Sequence, residues 1–262
     1  MTRYLRLALG YLRIGVINEL QYRANFILQI FEALLGLGTG LVGLALVFSH
    51  TDQLGGWTRP ELLAVMGTHI LMGGLIRSTI QPNMIRLMTD VLEGTLDYAL
   101  AKPADSQVLV SVREFRLWQL VDVVTGLAVL AVAVAELQAG LGLRQAVGFA
   151  VALVLGGLMI YSFWLMITTG AFWIVRIDNI LELFDGVYLA GRWPVGVYPD
   201  WMRLGLTFLV PVAFAVTVPA EALTGRLSPM TLAEAAAVAA VLLTVARWFW
   251  HFGLRRYSGA SA

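Results

Sequence analysis

The sequence contains no cysteine and a single lysine, Lys102. Without cysteine there are no disulfides, no thiol nucleophile and no iron–sulfur ligation. With one lysine a phosphate-binding loop is excluded, because that loop needs Gly-x-x-x-x-Gly-Lys followed by Ser or Thr. Lys102 lies instead in Ala101-Lys102-Pro103. Charge is scarce too: 13% of the 262 residues are charged, against roughly 25% in soluble domains. A net charge of +1 offers no basic surface, so nucleic acid is not an expected partner. His50, His69 and His251 are scattered, and no metal site is expected. Gly-x-Ser-x-Gly and His-Glu-x-x-His are both absent, and Ser78 and Ser162 stand alone, so no catalytic residue is assigned.

Apolar residues fill the space left. They make up 59% of the chain, and the mean hydropathy is +0.78. A hydrocarbon core about 30 Å thick takes ~20 apolar residues per helix at ~1.5 Å each. Residues 26–48, 62–80, 117–137, 146–175, 204–223 and 231–252 reach or approach that length. Barrel strands would alternate apolar and polar residues over about ten positions instead. The expected fold is therefore all-α and integral to the membrane, with six transmembrane helices in a single domain, 1–262.

Basic residues orient the chain. Arg3, Arg6, Arg13 and Arg23 are spread too widely for a cleaved signal. Residues 3–22 read as a helix lying on the bilayer, with Arg3, Arg6, Gly10 and Arg13 on one face and Tyr4, Leu7, Leu12 and Ile14 elsewhere. A cytoplasmic extension of the first span is the alternative. With the N-terminus in the cytoplasm, inside segments hold 13 of the 18 basic residues, as the positive-inside rule requires. Both termini are then cytoplasmic, in an inner (plasma) membrane. Trp57, Trp193 and Trp201 are expected at the outer interface, and Trp118 and Trp248 at the inner one.

The longest inside segment is 81–112. Pro82 is expected to break the chain after the second span. Residues 84–100 read as one amphipathic helix, with Ile85, Met88, Leu92, Leu96 and Leu100 on one face and Arg86, Asp90, Glu93 and Asp97 on the other. Such a helix suits docking, or it simply links two spans. Region 176–226 admits two arrangements: either 204–223 is the fifth span, or 177–198 crosses and 204–223, interrupted by Pro211 and Pro219, dips in and returns. Asp178, Glu182 and Asp185 share one helical face that continues to Leu189 and Arg192. In a cavity they would favour organic cations or coordinate a charged head group; at the cytoplasmic end they would be hydrated or paired with Arg176. Glu32, Arg77 and Asp122 also fall in or near apolar spans, where a pair such as Glu32 with Arg77 would satisfy both. Gly36 and Gly40, and Gly67 with Gly73-Gly74, offer small surfaces for helix packing.

Three stretches resemble one family. Glu93-Gly94-Thr95-Leu96-Asp97-Tyr98-Ala99-Leu100-Ala101-Lys102-Pro103 resembles the Gly-x-Leu-Asp-x-x-Leu-x-[Lys/Arg]-Pro segment of type-2 ABC exporter permeases. Tyr198-Pro199-Asp200-Trp201-Met202-Arg203 is similar to their outer Pro-x-Trp-[Leu/Met] segment. Pro211-Val212-Ala213-Phe214, with Pro219 and Leu223-Thr224-Gly225, resembles the re-entrant part before their last span. The likeness runs through nearly the whole chain, and fits best the subgroup related to viologen and multidrug exporter permeases.

The resemblance implies a permease that pairs with a second permease subunit in the lipid bilayer and docks ABC ATPase subunits. It implies no cofactor in this chain, with ATP and Mg on the partner ATPase. The coupling helix would be 84–100, with Asp90, Glu93, Gly94, Asp97, Lys102 and Pro103 as ATPase-coupling residues. The interface helix would be 3–22. The family's fifth span falls on 177–198, which makes 204–223 the re-entrant segment and Asp178, Glu182 and Asp185 substrate-path residues. An ion-coupled secondary transporter using that acidic face is the alternative, against which stands the lack of an internal inverted repeat.

Overall fold

A computed structural model of the chain describes residues 10, 11, 13, 15–17, 23–137, 142–173 and 180–257. Among these residues the regular structure is helical. Five helices are long and apolar enough to cross a bilayer. The first is α1, Arg23–Phe48. The second runs without interruption from Arg59 to Leu92, as α2 (Arg59–Leu75), a π turn (Ile76–Ile80) and α3 (Gln81–Leu92). Short helices α4 (Asp97–Leu100) and α5 (Ser106–Val110) follow. The third and fourth spans are α6 (Leu120–Glu136) and α7 (Leu143–Thr169). Next come α8 (Ile180–Ala190), α9 (Asp200–Leu204) with a π turn to Leu209, a second π turn (Ala213–Thr217) and α10 (Val218–Leu223). The last span is α11, Pro229–Leu254.

Pro82 does not break the second helix. Gln81 donates its N–H to the Ile76 carbonyl five residues back, and this widened turn takes up the proline ring. Pro82 has no N–H to offer the Ser78 carbonyl. That carbonyl accepts instead from the Arg116 N–H at 3.0 Å. The expected single helix over 84–100 is likewise not continuous. α3 ends at Leu92, Gly94 adopts a φ of 71°, a left-handed turn that glycine enters without strain, and α4 starts afresh at Asp97.

Glycines let the spans meet backbone to backbone. A Cβ added at Gly126 of α6 would lie 2.5 Å from the Leu71 nitrogen, and one at Gly74 would lie 2.8 Å from the Val123 nitrogen. One at Gly156 of α7 would lie 2.6 Å from the Ala215 Cα. Small residues at crossings are how helices gain packing where lipid is as apolar as leucine. Around these crossings Leu62, Met72, Ile76, Met84, Leu87, Met159 and Trp164 are fully buried. α1 is the exception. Ile27, Leu28, Phe31, Leu34 and Val42 are all exposed, Gly36 meets nothing within 4 Å, and Gly40 meets only the Met66 side chain.

Residues 200–223 form a V. Its arms, Asp200–Leu209 and Ala213–Leu223, meet at 79° around Pro211. Both ends of the V lie near the α1–α2 connection: Val197, just before it, packs on Gly55, and Arg226, just after it, bonds Glu61. Its apex lies deeper, with Val212 against Gly191, beside the ring of His69. The expected span over 177–198 is helical only from Ile180 to Ala190 in the described residues, about 16 Å of rise. Beyond it the chain turns at Gly191 and continues through a 3-10 turn, Val195–Val197.

The crossing of α2 and α6 is the least forgiving contact. Gly126→Ala is expected to destabilise the protein by about 1–3 kcal/mol through overpacking. Gly157→Ala, whose added Cβ meets nothing within 4 Å, is the matched control. Thermal melts of the two variants in detergent should separate them, and equal melting temperatures would sink the assignment of that contact.

Candidate functional site

Two places concentrate polar chemistry: a platform at one end of the bundle and a cavity among the spans. The platform is built on Asp90, near the end of α3. Its carboxylate is buried and receives Arg113 at 2.6 Å and Arg86 at 3.1 Å. Thr95 Oγ1 donates to the same carboxylate at 3.2 Å, and the Thr95 and Leu96 N–H groups donate to the Asp90 carbonyl. One residue thus closes the Gly94 turn and seats α4. Asn83 pins the following loop: its Oδ1 accepts from the Arg113 and Glu114 N–H groups, and its Nδ2 donates to the Glu114 carbonyl. Sequence reasoning gave Asn83 no role, since a lone asparagine inside an apolar pattern carries no motif.

The expected coupling residues therefore divide. Asp90 is interior and cannot touch a partner. Gly94 is the turn. Glu93, Asp97 and Pro103 are exposed, beside exposed Leu92 and Tyr98. Lys102 is exposed but engaged: its Nζ donates to the Tyr11 hydroxyl at 3.0 Å. Gly15 lies against Phe115, so residues 10–17, helical where described, rest on the platform. The remainder of the expected interface helix over 3–22, with Arg3 and Arg6, lies outside the described residues.

The platform is also tied to the last span. Arg247 of α11 bonds Asp105 at 2.9 Å and Gln107 at 3.1 Å, and Trp250 Nε1 donates to Ser106 Oγ at 3.3 Å. The hydrogen bond from Arg247 holds the Asp105 carboxyl below the usual carboxylate range. Gln107 and Ser111 both meet the Tyr161 hydroxyl of α7.

The cavity, about 570 Å³, lies between α1, α2, the start of α6, and α8. At its platform end four side chains form a closed ring. Arg77 donates to Asp122 at 2.7 Å and to Gln119 at 3.3 Å. Gln119 donates to Gln29 at 2.9 Å, and Gln29 donates back to Asp122 at 3.5 Å. The pairing of Arg77 with Glu32 is thus replaced by Arg77 with Asp122, because the Gly74–Val123 contact brings those two helices together. Glu32 and Asp185 line the cavity without a hydrogen bond or ion pair among the described residues. Arg192 and the buried Nδ1 of His69 also line it without one. Of the described residues of the expected acidic stripe, Asp185 reaches this cavity and Glu182 does not. Glu182 is exposed outside its lining, and Asp178 lies outside the described residues. Tyr188 closes the wall, stacked on His69 at 4.5 Å with its hydroxyl donating to the His69 carbonyl.

At the opposite end Arg226 forks onto Glu61 at 2.7 and 2.8 Å, donates to the Gly56 carbonyl and covers the Trp57 ring. Glu61 also accepts from the Thr58 N–H, at the start of α2. Trp57, expected in an interfacial belt, is buried under this clasp. Trp201 and Trp248 remain exposed. No group of acidic, histidine or cysteine side chains able to hold a metal occurs among the described residues.

In comparison with known families, the model of the ABC-2 family transporter proteins matches residues 34–261. No significant match is found among curated proteins. The chain belongs to the ABC-2 transporter family. It is a multi-pass membrane protein and a permease of the ABC-transporter type.

Asp90 sets the platform's order. Removing one partner of a buried ion pair costs about 3–5 kcal/mol. Asp90→Ala should therefore lower hydrogen-exchange protection of the 95–101 amides by an order of magnitude or more, while exposed Asp97→Ala leaves it unchanged. Equal protection in both variants would remove Asp90 from this role.

Proposed function

We propose that the chain forms the translocation path of an ATP-driven exporter, powered by a separate ABC ATPase that holds ATP and Mg. The chain has no phosphate-binding loop, and family membership supports a partner ATPase. The observation that carries the docking site is the platform's exposed face. Leu92, Glu93, Asp97 and Tyr98 are presented outward around a turn locked from beneath by Asp90, whose partner Arg113 is held in turn by Asn83. Apolar and acidic groups on a rigid seat give a partner both contact area and charged register. A push on this seat reaches the spans by two routes: along the continuous helix Arg59–Leu92 and through Arg247 into α11. The exposed apolar flank of α1 suits lipid or a second permease subunit.

In the membrane, the platform end is cytoplasmic in this reading, as are both termini, and the clasp end is outside. Residues 180–198 then cross from the inner to the outer side, partly as helix. Residues 200–223 dip in from outside and return, an arrangement supported by the V whose two ends sit near the α1–α2 connection. Irregular backbone at depth is tolerated where protein covers it, and Val210, Val212 and Ala213 are buried.

Asp97→Arg is expected to reduce co-purification of the ATPase, or its substrate-stimulated turnover, by tenfold or more while the permease still inserts. Normal association together with normal transport would count against the docking face.

A thiol at Asp200→Cys, in a chain with no native cysteine, should react with an impermeant maleimide in intact cells, whereas Ala260→Cys should react only after lysis. Labelling at position 200 that also requires lysis would overturn the re-entrant arrangement.

A further inference from the structure

We propose that the 570 Å³ cavity between α1, α2, α6 and α8 binds a zwitterionic ligand: an organic cation that also carries an acid group. The inference rests on the permease reading, in which this cavity is part of the path.

The argument is an accounting of charge. Ionisable side chains in spans are costly and face a cavity or a partner. The Arg77–Asp122 pair is satisfied within its ring. Three charges on the walls are not. Asp185 and Glu32 are acidic and Arg192 is basic; none of them forms a hydrogen bond or ion pair among the described residues, and Asp185 feels Arg77 only through its field. A ligand bearing only positive charge would answer the two acids and leave Arg192 facing a like charge. A ligand bearing only negative charge would do the reverse. A molecule carrying both signs answers both.

Position strengthens the reading. His69 is buried, its Nδ1 has no partner, and it lines the same cavity. A Cβ at Gly191 would lie 3.5 Å from that nitrogen, so His69 stands beside the residue that precedes Arg192. The guanidinium fork and the imidazole together suit an acid group, which a fork binds through two parallel hydrogen bonds. Asp185 lies two helical turns earlier, on α8, where it would receive the amine. The acids of the stripe taken by themselves point to organic cations or a charged head group. Arg192 changes that prediction.

The probes are rhodamine B, a zwitterion; its ethyl ester, the same ring system with the cation alone; and fluorescein, an anion. Fluorescence anisotropy with the permease in nanodiscs, with its co-purifying ATPase, reads their affinities without ATP. Rhodamine B should bind about tenfold or more tightly than its ester, the effect of one charged hydrogen bond. Arg192→Gln should abolish that preference while ester binding persists, and Arg192→Lys should keep most of it. Equal affinity of the two dyes for the native protein would overturn the proposal, as would a preference that survives Arg192→Gln. Should Arg192→Gln not fold, Asp185→Asn decides: it must weaken the ester and spare fluorescein, and unchanged ester binding overturns the proposal. Loss of ATPase association leaves this equilibrium measurement intact, so the two readings fail separately.

Discussion

The approach of α2 to α6 is the contact on which the other features depend. Two glycines, Gly74 and Gly126, bring the backbones together so closely that neither position has room for a methyl group. This contact sets Asp122 against Arg77 and so builds the floor of the cavity. Side chains of ordinary size at the crossing would hold the helices apart, since interaxial distance follows the residues at the contact. Arg77 would then sit in a span without its counter-ion, which is the expensive arrangement.

The same α2 carries the chemistry of both ends. Glu61 starts it, His69 and Arg77 lie along it, and its continuation α3 ends beside Asp90. Clasp, cavity and platform are therefore stations on one rod of 34 residues. The π turn at Ile76–Ile80 is its only local irregularity, and it sits beside the ring at the cavity floor. Such turns recur at functional places because they loosen the helix without ending it. Just beyond it Pro82, lacking an N–H, frees the Ser78 carbonyl to hold Arg116, which joins the loop entering α6 to the rod.

Much of this was legible in sequence, and for physical reasons. Long apolar runs have few other uses, so five spans fall where the hydropathy places them, with ends shifted by a few residues except in the second, which runs on past Ile80 to Leu92. What failed depends on neighbours. Pro82 reads as a break because its sequence context shows the missing N–H but not the Arg116 N–H that replaces it. The amphipathic pattern over 84–100 is genuine, yet Gly94 interrupts it, with Asp90 tying both sides together. Asp90 itself reads as a surface acid, because its partners Arg86 and Arg113 are four and 23 positions away. Glu32, Arg77 and Asp122 read as charges needing partners. Which ones pair was decided by a glycine contact that sequence spacing does not encode. Asn83 and Arg226 carried no signal at all, since each acts through backbone or through a residue 165 positions distant.

α1 contributes Gln29 and Glu32 to the cavity wall while leaving most of its apolar surface uncovered. Regions with few buried contacts open at low free-energy cost. The chamber is thus rigid on the α2–α6 side and compliant on the α1 side. A container with one soft wall admits guests of differing bulk without repacking its core. The charges on its walls, Asp185 and Arg192 among them, then rank guests by chemistry, and the yielding side sets only a loose limit on their size.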